Sequence, residues 1–130
     1  MLTKRVLLIS QDRWLLDRLR EVLDEAGMEA EIALSGAVGA SIAFERRVDL
    51  LLADEAVEDF KNIRKIKDPA SATYRLPAIV IKANGGSVRE EAMKLYPNAV
   101  VDRDVDGKEL VAKIEAAVKA SRKAKARVCA

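Results

Sequence analysis

Apolar residues fall along this chain in two patterns, as short continuous runs and as stripes at helical spacing. The continuous runs lie within residues 5–9, 48–54 and 76–81, and shorter or alternating stretches lie at 29–34 and 98–101. A run without polar alternation is typical of a strand that is covered on both faces, as in a parallel sheet between layers of helices. The pattern therefore predicts five strands and the burial of the longest runs.

Apolar stripes with a spacing of three or four residues separate these strands and predict helices. They cover residues 15–26, 36–46, 57–66, 88–95 and 110–118. Ser35 is placed to cap the second helix, and the pairs Ser87 with Glu90 and Asp106 with Glu109 have the spacing of capping boxes. The alternation of strands and helices predicts an α/β fold, a doubly wound (βα)5 parallel sheet in three α/β/α layers.

The composition is typical of a single cytoplasmic domain. The chain has 130 residues, 50% of them hydrophobic, which is enough to form one core. Its one cysteine, Cys129, excludes an intrachain disulfide, and the absence of histidine removes histidine metal sites and histidine-dependent catalytic triads. The first residues lead into an apolar run too short for a signal peptide or a membrane span. We expect a cytoplasmic protein with no membrane insertion and no resident cofactor.

Positive charge is concentrated at the C-terminus. The formal net charge is +2, yet residues 116–130 carry five cations and no acid. We expect a folded domain over residues 1–120 and a basic tail or linker over 121–130. This tail could continue the last helix, lead to a following domain, or form a patch for nucleic acid or anionic lipid. No aromatic residues are interleaved with the cations, so we favour the first two roles and do not expect nucleic acid as a partner.

Asp54 ends the apolar run at 48–54, and open α/β sheets bind ligands at the carboxyl ends of their strands. Over residues 4–120 the order and spacing of several stretches resemble the receiver domains of bacterial two-component response regulators, the CheY-like family. The matching stretches are Arg5-Val-Leu-Leu-Ile, Ala33-Leu-Ser-Gly, Val48-Asp-Leu-Leu-Leu-Ala-Asp, Leu76-Pro-Ala-Ile-Val-Ile and Asp106-Gly-Lys-Glu-Leu. The resemblance implies a flavodoxin-like sheet of order 2-1-3-4-5. It also places Asp54 at the phosphoacceptor position, which takes phosphate from a histidine kinase with the help of Mg²⁺. A simpler interpretation makes Asp54 the cap of a helix that begins near Glu55.

The positions that hold the metal ion in receivers are altered here. The acidic pair after the first strand is replaced by Ser10 and Gln11, and Asp12 lies one residue too late. A single acid holds a hard divalent cation less well than a pair. We therefore expect no metal site, with Asp12 and Asp54 as the ligands only if Mg²⁺ binding and phosphorylation are retained. Capping of the first helix is the favoured role for Asp12.

The positions that act in the receiver switch also differ. Lys82 replaces the switch hydroxyl, Val100 replaces the switch aromatic residue, and Arg103-Asp104 replaces a Lys-Pro pair. Lys82 could pair permanently with Asp54 as a lock, or could be solvated at the end of its strand. Arg103 could pair bidentately with Asp54, and without proline its loop is expected to be trans. Extra acids that could repel a phosphoryl donor or supply a substitute ligand follow Asp54, namely Glu55, Glu58 and Asp59.

The loss of several parts of one mechanism predicts a degenerate receiver. Such a domain acts as a protein–protein interaction module without phosphorylation and has no catalytic residues. The alternative is a receiver that a partner histidine kinase still phosphorylates at Asp54. A flavodoxin-like redox enzyme is the alternative from another class, but residues 10–14 lack the Ser/Thr/Gly-rich phosphate loop that such an enzyme needs.

The same resemblance predicts where partners bind. A histidine kinase, a downstream effector or a second copy of the chain is expected on the face formed by helix 4, strand 5 and helix 5. The candidate residues, each of which could also belong to an ordinary solvated face, are Arg89, Met93, Lys94, Tyr96 and Lys113. Trp14 shares its helical stripe with polar residues, so it either anchors an interface or packs against the loop after strand 3.

Overall fold

Five parallel strands form one sheet in the order β2-β1-β3-β4-β5. The computed structural model describes residues 3–83 and 85–129, with the side chains of the C-terminal helix described up to residue 122. The strands are β1 (Arg5–Ile9), β2 (Glu29–Ala33), β3 (Leu50–Asp54), β4 (Ala78–Ile81) and β5 (Ala99–Val101). The predicted fold class and strand order are both confirmed.

Helices cover both faces of the sheet. They are α1 (Arg13–Glu25), α2 (Gly36–Glu45), α3 (Phe60–Arg64) with a following 3₁₀ turn (Lys65–Lys67), α4 (Glu90–Met93) and α5 (Gly107–Cys129). Apolar residues of α1 and α5 pack on one face, and those of α2, α3 and α4 pack on the other. Among the described residues, no helix is long and apolar enough to cross a membrane.

The central strand β3 brings Asp54 to the carboxyl end of the sheet. Every residue of β3 is buried, because Leu50 and Leu52 face the α1/α5 layer while Leu51 and Ala53 face the opposite layer. Asp54 is the last residue of the strand and is paired in register with Ile81 of β4. The continuous apolar run thus has the expected cause, which is burial on both faces.

The predicted start of α2 is confirmed. The Ser35 hydroxyl accepts a hydrogen bond from the Val38 amide at 3.1 Å, as an N-cap does. Gly39 then lies against the Ile9 side chain with no room for a Cβ atom, so the helix packs closely on β1. The small residues of this helix therefore allow the close approach that the sequence suggested.

The third and fourth helices are shorter than predicted. The third helix begins at Phe60, so the predicted helix start near Glu55 is wrong and Asp54 caps no helix there. The Ser87 with Glu90 capping box is also wrong, since α4 begins at Glu90 without a side-chain cap. The physical reason is that Arg89, the residue before α4, is extended and donates its amide hydrogen to Glu55 instead of joining a helix.

The last helix begins at Gly107, directly after Asp106 as the sequence predicted, and runs to Cys129. Its backbone therefore continues through most of the predicted tail over 121–130. The charged groups of Lys123, Lys125 and Arg127 lie outside the described residues.

Candidate functional site

Asp54 forms a bidentate ion pair with Arg103 at the carboxyl end of the sheet. Arg103 Nη1 lies 2.7 Å from Asp54 Oδ1, and Arg103 Nη2 lies 2.9 Å from Asp54 Oδ2. The Asp54 side chain is only 2% exposed, and that of Arg103 is 25% exposed. The pairing that the sequence suggested for Arg103 is therefore present, with the parallel geometry that makes arginine–carboxylate pairs strong.

The same guanidinium group also binds Asp12. Arg103 Nη2 lies 2.8 Å from Asp12 Oδ2, so this nitrogen contacts one oxygen of each aspartate. The other Asp12 oxygen accepts the Leu15 amide at 3.2 Å, which confirms Asp12 as the N-cap of α1. Hydrogen bonds from Arg103 and Leu15 lower the pKa of Asp12, and the bonds to Asp54 and Asp12 raise the pKa of Arg103.

Every hydrogen-bonding position of the Asp54 carboxylate is filled. Oδ1 accepts from Arg103 and from the Ala56 amide at 2.9 Å, while Oδ2 accepts from Arg103 and from the Ser10 hydroxyl at 2.7 Å. An ionised carboxylate offers about four acceptor positions, so none remains for a further ligand. Ser10 is fully buried and also accepts the Asp12 amide at 3.1 Å. This role of Ser10 was not predicted, because a serine after a strand gives no sign of which carboxylate it will meet.

Arg18 holds the loop that carries Arg103. Its guanidinium donates to the Val105 carbonyl at 2.9 Å and also to the Arg103 carbonyl. Arg103 Nη1 in turn lies 3.3 Å from the Lys82 carbonyl. Sequence reasoning missed Arg18, which stands among other charged residues on the polar face of α1 and carries no local signal.

The side chains at the remaining switch positions take no part in the Asp54 site. Lys82 Nζ lies 3.3 Å from Asp102 Oδ1, so the suggested pairing of Lys82 with Asp54 is not formed. Arg103 pairs with Asp54 instead, because its planar guanidinium group can donate to both carboxylate oxygens at once. Val100 is partly buried against the α2–α4 core, and the expectation of a trans loop agrees with the absence of cis peptide bonds in residues 3–83 and 85–129.

Glu55 ties a second loop to the end of β3. Its side chain is 3% exposed, and its two oxygens accept the Ala83 amide at 3.2 Å and the Arg89 amide at 3.0 Å. Arg89 Nε lies 3.4 Å from Glu55 Oε1, and the guanidinium also donates to the Glu55 carbonyl. Glu55 therefore holds the β4–α4 loop against the end of β3. The sequence had suggested Glu55 only as a possible substitute ligand.

Other residues of the loop between β3 and α3 also make structural contacts. Asp59 accepts the Gly36 amide at 2.7 Å and the Ala37 amide at 2.8 Å, so it holds the start of α2. Gln11 accepts the Glu58 amide at 3.3 Å through its side-chain oxygen. Of the three extra acids, Glu55 is buried, Asp59 is partly exposed and Glu58 is exposed.

The residues at this site do not fit a bound Mg²⁺ ion. A cation shared by Asp12 and Asp54 would have to lie where Arg103 Nη2 already contacts both carboxylates. Magnesium also needs six oxygen ligands in a regular octahedron, whereas Ser10 here donates its hydroxyl to Asp54. Nowhere in the described part of the chain do three acidic, histidine or cysteine side chains form a group able to hold a metal ion.

The predicted partner face presents exposed aromatic and apolar groups. Tyr96 is 80% exposed and Met93 is 48% exposed, and Lys94 is exposed beside them. Lys113 is half-buried, and Arg89 is turned toward Glu55 by its ion pair. Trp14, on a different surface, is 86% exposed, so the suggestion that it packs against the loop after strand 3 is wrong.

Comparison with known proteins supports the receiver resemblance. No family model matches the sequence. The transcriptional regulatory protein CpxR of Klebsiella pneumoniae is 29% identical over 118 residues, which is 90% of this chain and 50% of that protein. The chain therefore spans about half the length of this curated relative.

Solved structures share the fold at low sequence identity. A CheY-like receiver domain protein from Methanospirillum hungatei has a TM-score of 0.80 at 21% identity, covering 94% of this chain and 98% of that one. The receiver domain of an HD domain-containing protein from Pseudomonas fluorescens has a TM-score of 0.82 at 14% identity, covering 94% and 99%. A putative response regulator from Chloroflexus aurantiacus has a TM-score of 0.81 at 20% identity, covering 91% and 99%. The predicted resemblance to response regulator receiver domains is thus confirmed, and at these identities it is a likeness of fold.

Proposed function

We propose that this chain is a receiver-like signalling domain that binds partner proteins in the cytoplasm without being phosphorylated. One observation carries the proposal: the Arg103 guanidinium occupies the space between Asp54 and Asp12. The positive charge that a metal ion brings in a receiver is here part of the chain. The domain is then held in one state, and its partners recognise that state.

The chemistry of phosphoryl transfer supports this proposal. A carboxylate that attacks phosphorus needs a free oxygen lone pair, access to the donor, and a cation to neutralise the phosphoryl oxygens. The Asp54 side chain is 2% exposed, and its four acceptor positions are filled by Arg103, Ala56 and Ser10. Separating the buried carboxylate from its arginine costs about 3–5 kcal/mol, which would add to the barrier of any attack.

Intact-mass spectrometry tests whether Asp54 takes phosphate. The protein is incubated with acetyl phosphate, with and without Mg²⁺, beside Asp54→Ala. We expect no phosphate adduct in any sample, while an active receiver in the same tube provides the positive control. A Mg²⁺-dependent adduct that disappears in Asp54→Ala would overturn the proposal and establish the second candidate, a receiver phosphorylated by a partner histidine kinase.

We place the partner contact on the α4–β5–α5 face, where a kinase, an effector or a second copy of the chain would bind. The support is the exposure of both Met93 and Tyr96, which are three residues apart in the chain, because aromatic and methionine side chains are enriched at interfaces. Light scattering over a concentration series tests the homodimer. If the face is self-associating, the molar mass rises with concentration in the wild type and stays monomeric in Tyr96→Lys. An equal rise in both proteins would place the contact elsewhere.

A further inference from the structure

A cavity opens at the amino ends of the central strands, away from the Asp54 site. It has a volume of about 650 Å³ and is lined by residues just before β3, β4 and β5 and by the middle of α5. Because the strands are parallel, their amino ends all lie at one end of the sheet, opposite to the end that carries Asp54. The cavity is therefore separate from the Arg103 ion pair, and nothing in the proposed function uses it.

The cavity combines apolar side chains with three cations in its lining. Its apolar lining includes Val48, Leu76, Pro77 and Val118. Three cations also line it, namely Lys67, Arg75 and Arg122. Ligand sites are typically concave and largely apolar with a few polar groups, at volumes of about 300–1,000 Å³. This combination is that of a site for a ligand with a hydrocarbon body and a negative charge.

The three cations of the lining form no ion pair with any residue that the structure describes. The one acid of the lining, Asp49, is already engaged, because its Oδ2 accepts the Arg5 amide at 2.8 Å and lies 3.1 Å from Arg47 Nη2. The cavity therefore has an excess of positive charge that an anion would balance.

Lys67 is the least exposed of these cations, whereas Arg75 is exposed and its Nε donates to the Tyr74 hydroxyl at 2.6 Å. Lys67 Nζ donates to the Leu76 carbonyl at 2.5 Å, which leaves two of its three N–H groups for another acceptor. Burial lowers the pKa of Lys67, because it removes water from around the ammonium group. A bound anion would supply the missing favourable charge and raise this pKa again.

We propose that this cavity binds an amphipathic monoanion, a carboxylate or sulfonate attached to a hydrocarbon body. Lys67, Arg75 and Arg122 would contact the charged group, while Val118 and its apolar neighbours would contact the hydrocarbon. Val118 and Arg122 both belong to α5, so the ligand would also brace the helix that continues toward the C-terminus.

The probe for this test is 8-anilinonaphthalene-1-sulfonate, an aromatic sulfonate whose fluorescence rises in apolar sites. It is titrated into the folded wild-type protein and into a triple variant, Lys67→Gln, Arg75→Gln and Arg122→Gln. We expect a dissociation constant at least about tenfold higher in the triple variant, because hydrogen bonds to charged groups are lost. The matched control removes three exposed cations elsewhere, Arg13→Gln, Lys61→Gln and Lys108→Gln, and should bind like the wild type.

Competition separates charge from hydrophobicity, and NMR locates the site. Octanoate should displace the probe, whereas octanol, which lacks the charge, and acetate, which lacks the hydrocarbon, should not. Amide resonances of Val48, Thr73 and Ser121 should shift on addition of octanoate.

If the triple variant does not fold, Arg75→Gln and Arg122→Gln are titrated singly, since both side chains are exposed. Equal probe binding by the cavity variants and the control, or octanoate shifts confined to other amides, would overturn the proposal.

Discussion

Asp54 and Glu55 are consecutive, both buried, and each pairs with an arginine from a different loop. Asp54 binds Arg103 in the β5–α5 loop, and Glu55 binds Arg89 in the β4–α4 loop. The end of β3 thus fastens the two loops that lead into α4 and α5. Under the proposed function these two ion pairs hold both loops in one arrangement, and substitutions of their residues test this.

Removing Arg103 should destabilise the protein strongly. Arg103→Ala leaves the buried Asp54 carboxylate without its main partner, so we expect the free energy of unfolding to fall by about 3 kcal/mol. Urea unfolding measures this loss. The double variant Asp54→Asn with Arg103→Met leaves no buried unpaired charge, since the remaining acid Asp12 is 40% exposed, and it should recover part of the loss. A double variant less stable than Arg103→Ala would contradict this account.

The same substitution should create a divalent-cation site. Without the guanidinium, the oxygens of Asp12 and Asp54 that now converge on Nη2 face an open position between two negative charges. Calorimetric titration with Mn²⁺ should show binding to Arg103→Ala and none to the wild type at the same millimolar concentrations. Adding Asp12→Asn to the variant should abolish this binding. Binding of equal strength to the wild type would show that Arg103 does not block the site.

Stability should decrease in acid partly through Asp12. Hydrogen bonds from Arg103 and Leu15 place the folded-state pKa of Asp12 below its ordinary value of 3.8. A carboxyl group with a lowered pKa stabilises the fold at pH values above about 4, and this contribution is lost as the pH falls through the folded-state pKa. Urea midpoints measured from neutral pH down to about pH 2 should therefore fall less steeply in Asp12→Asn than in the wild type. Parallel curves for the two proteins would exclude Asp12 as a contributor.

Arg18 should act as a positioning residue for Arg103. Arg18→Met removes two hydrogen bonds to the carbonyls of Arg103 and Val105, so amide hydrogen exchange in residues 102–106 should become faster. We expect an accompanying stability loss of about 1.5–3 kcal/mol. Arg20→Met is the matched control, because Arg20 is exposed on the same helix. Similar exchange rates in the two variants would remove Arg18 from this role.

The sheet could be predicted because the apolar runs that indicate its strands are local features of the sequence. Runs such as 50–53 can be continuous only where both faces are covered, and Asp54 at the end of that run marks the carboxyl edge of the sheet. The bidentate pairing of Arg103 with Asp54 could be predicted because Arg103 stands where receivers carry a lysine, and because its guanidinium group is planar. In contrast, Ser10, Arg18 and Glu55 make contacts across 34 to 87 residues of chain, and no local pattern specifies which distant donor an acid or hydroxyl will meet. The short α4 escaped prediction for the same reason, since a distant side chain, that of Glu55, fixes the residue before it.

Glu55 offers the sharpest test of the fastened loops, because a matched acid lies three residues away. Glu55→Gln replaces one oxygen acceptor by an NH2 donor, which would face the backbone N–H groups of Ala83 or Arg89. We expect a loss of about 1.5–3 kcal/mol in the free energy of unfolding and faster amide exchange in residues 83 and 85–89.

Glu58→Gln is the same chemical change at an exposed position of the same loop, and it should alter stability by no more than about 0.5 kcal/mol. Equal effects of the two substitutions would mean that Glu55 does not hold the β4–α4 loop. In that case the Asp54–Arg103 pair alone would hold a loop at the end of β3, and the β4–α4 loop would be free to move.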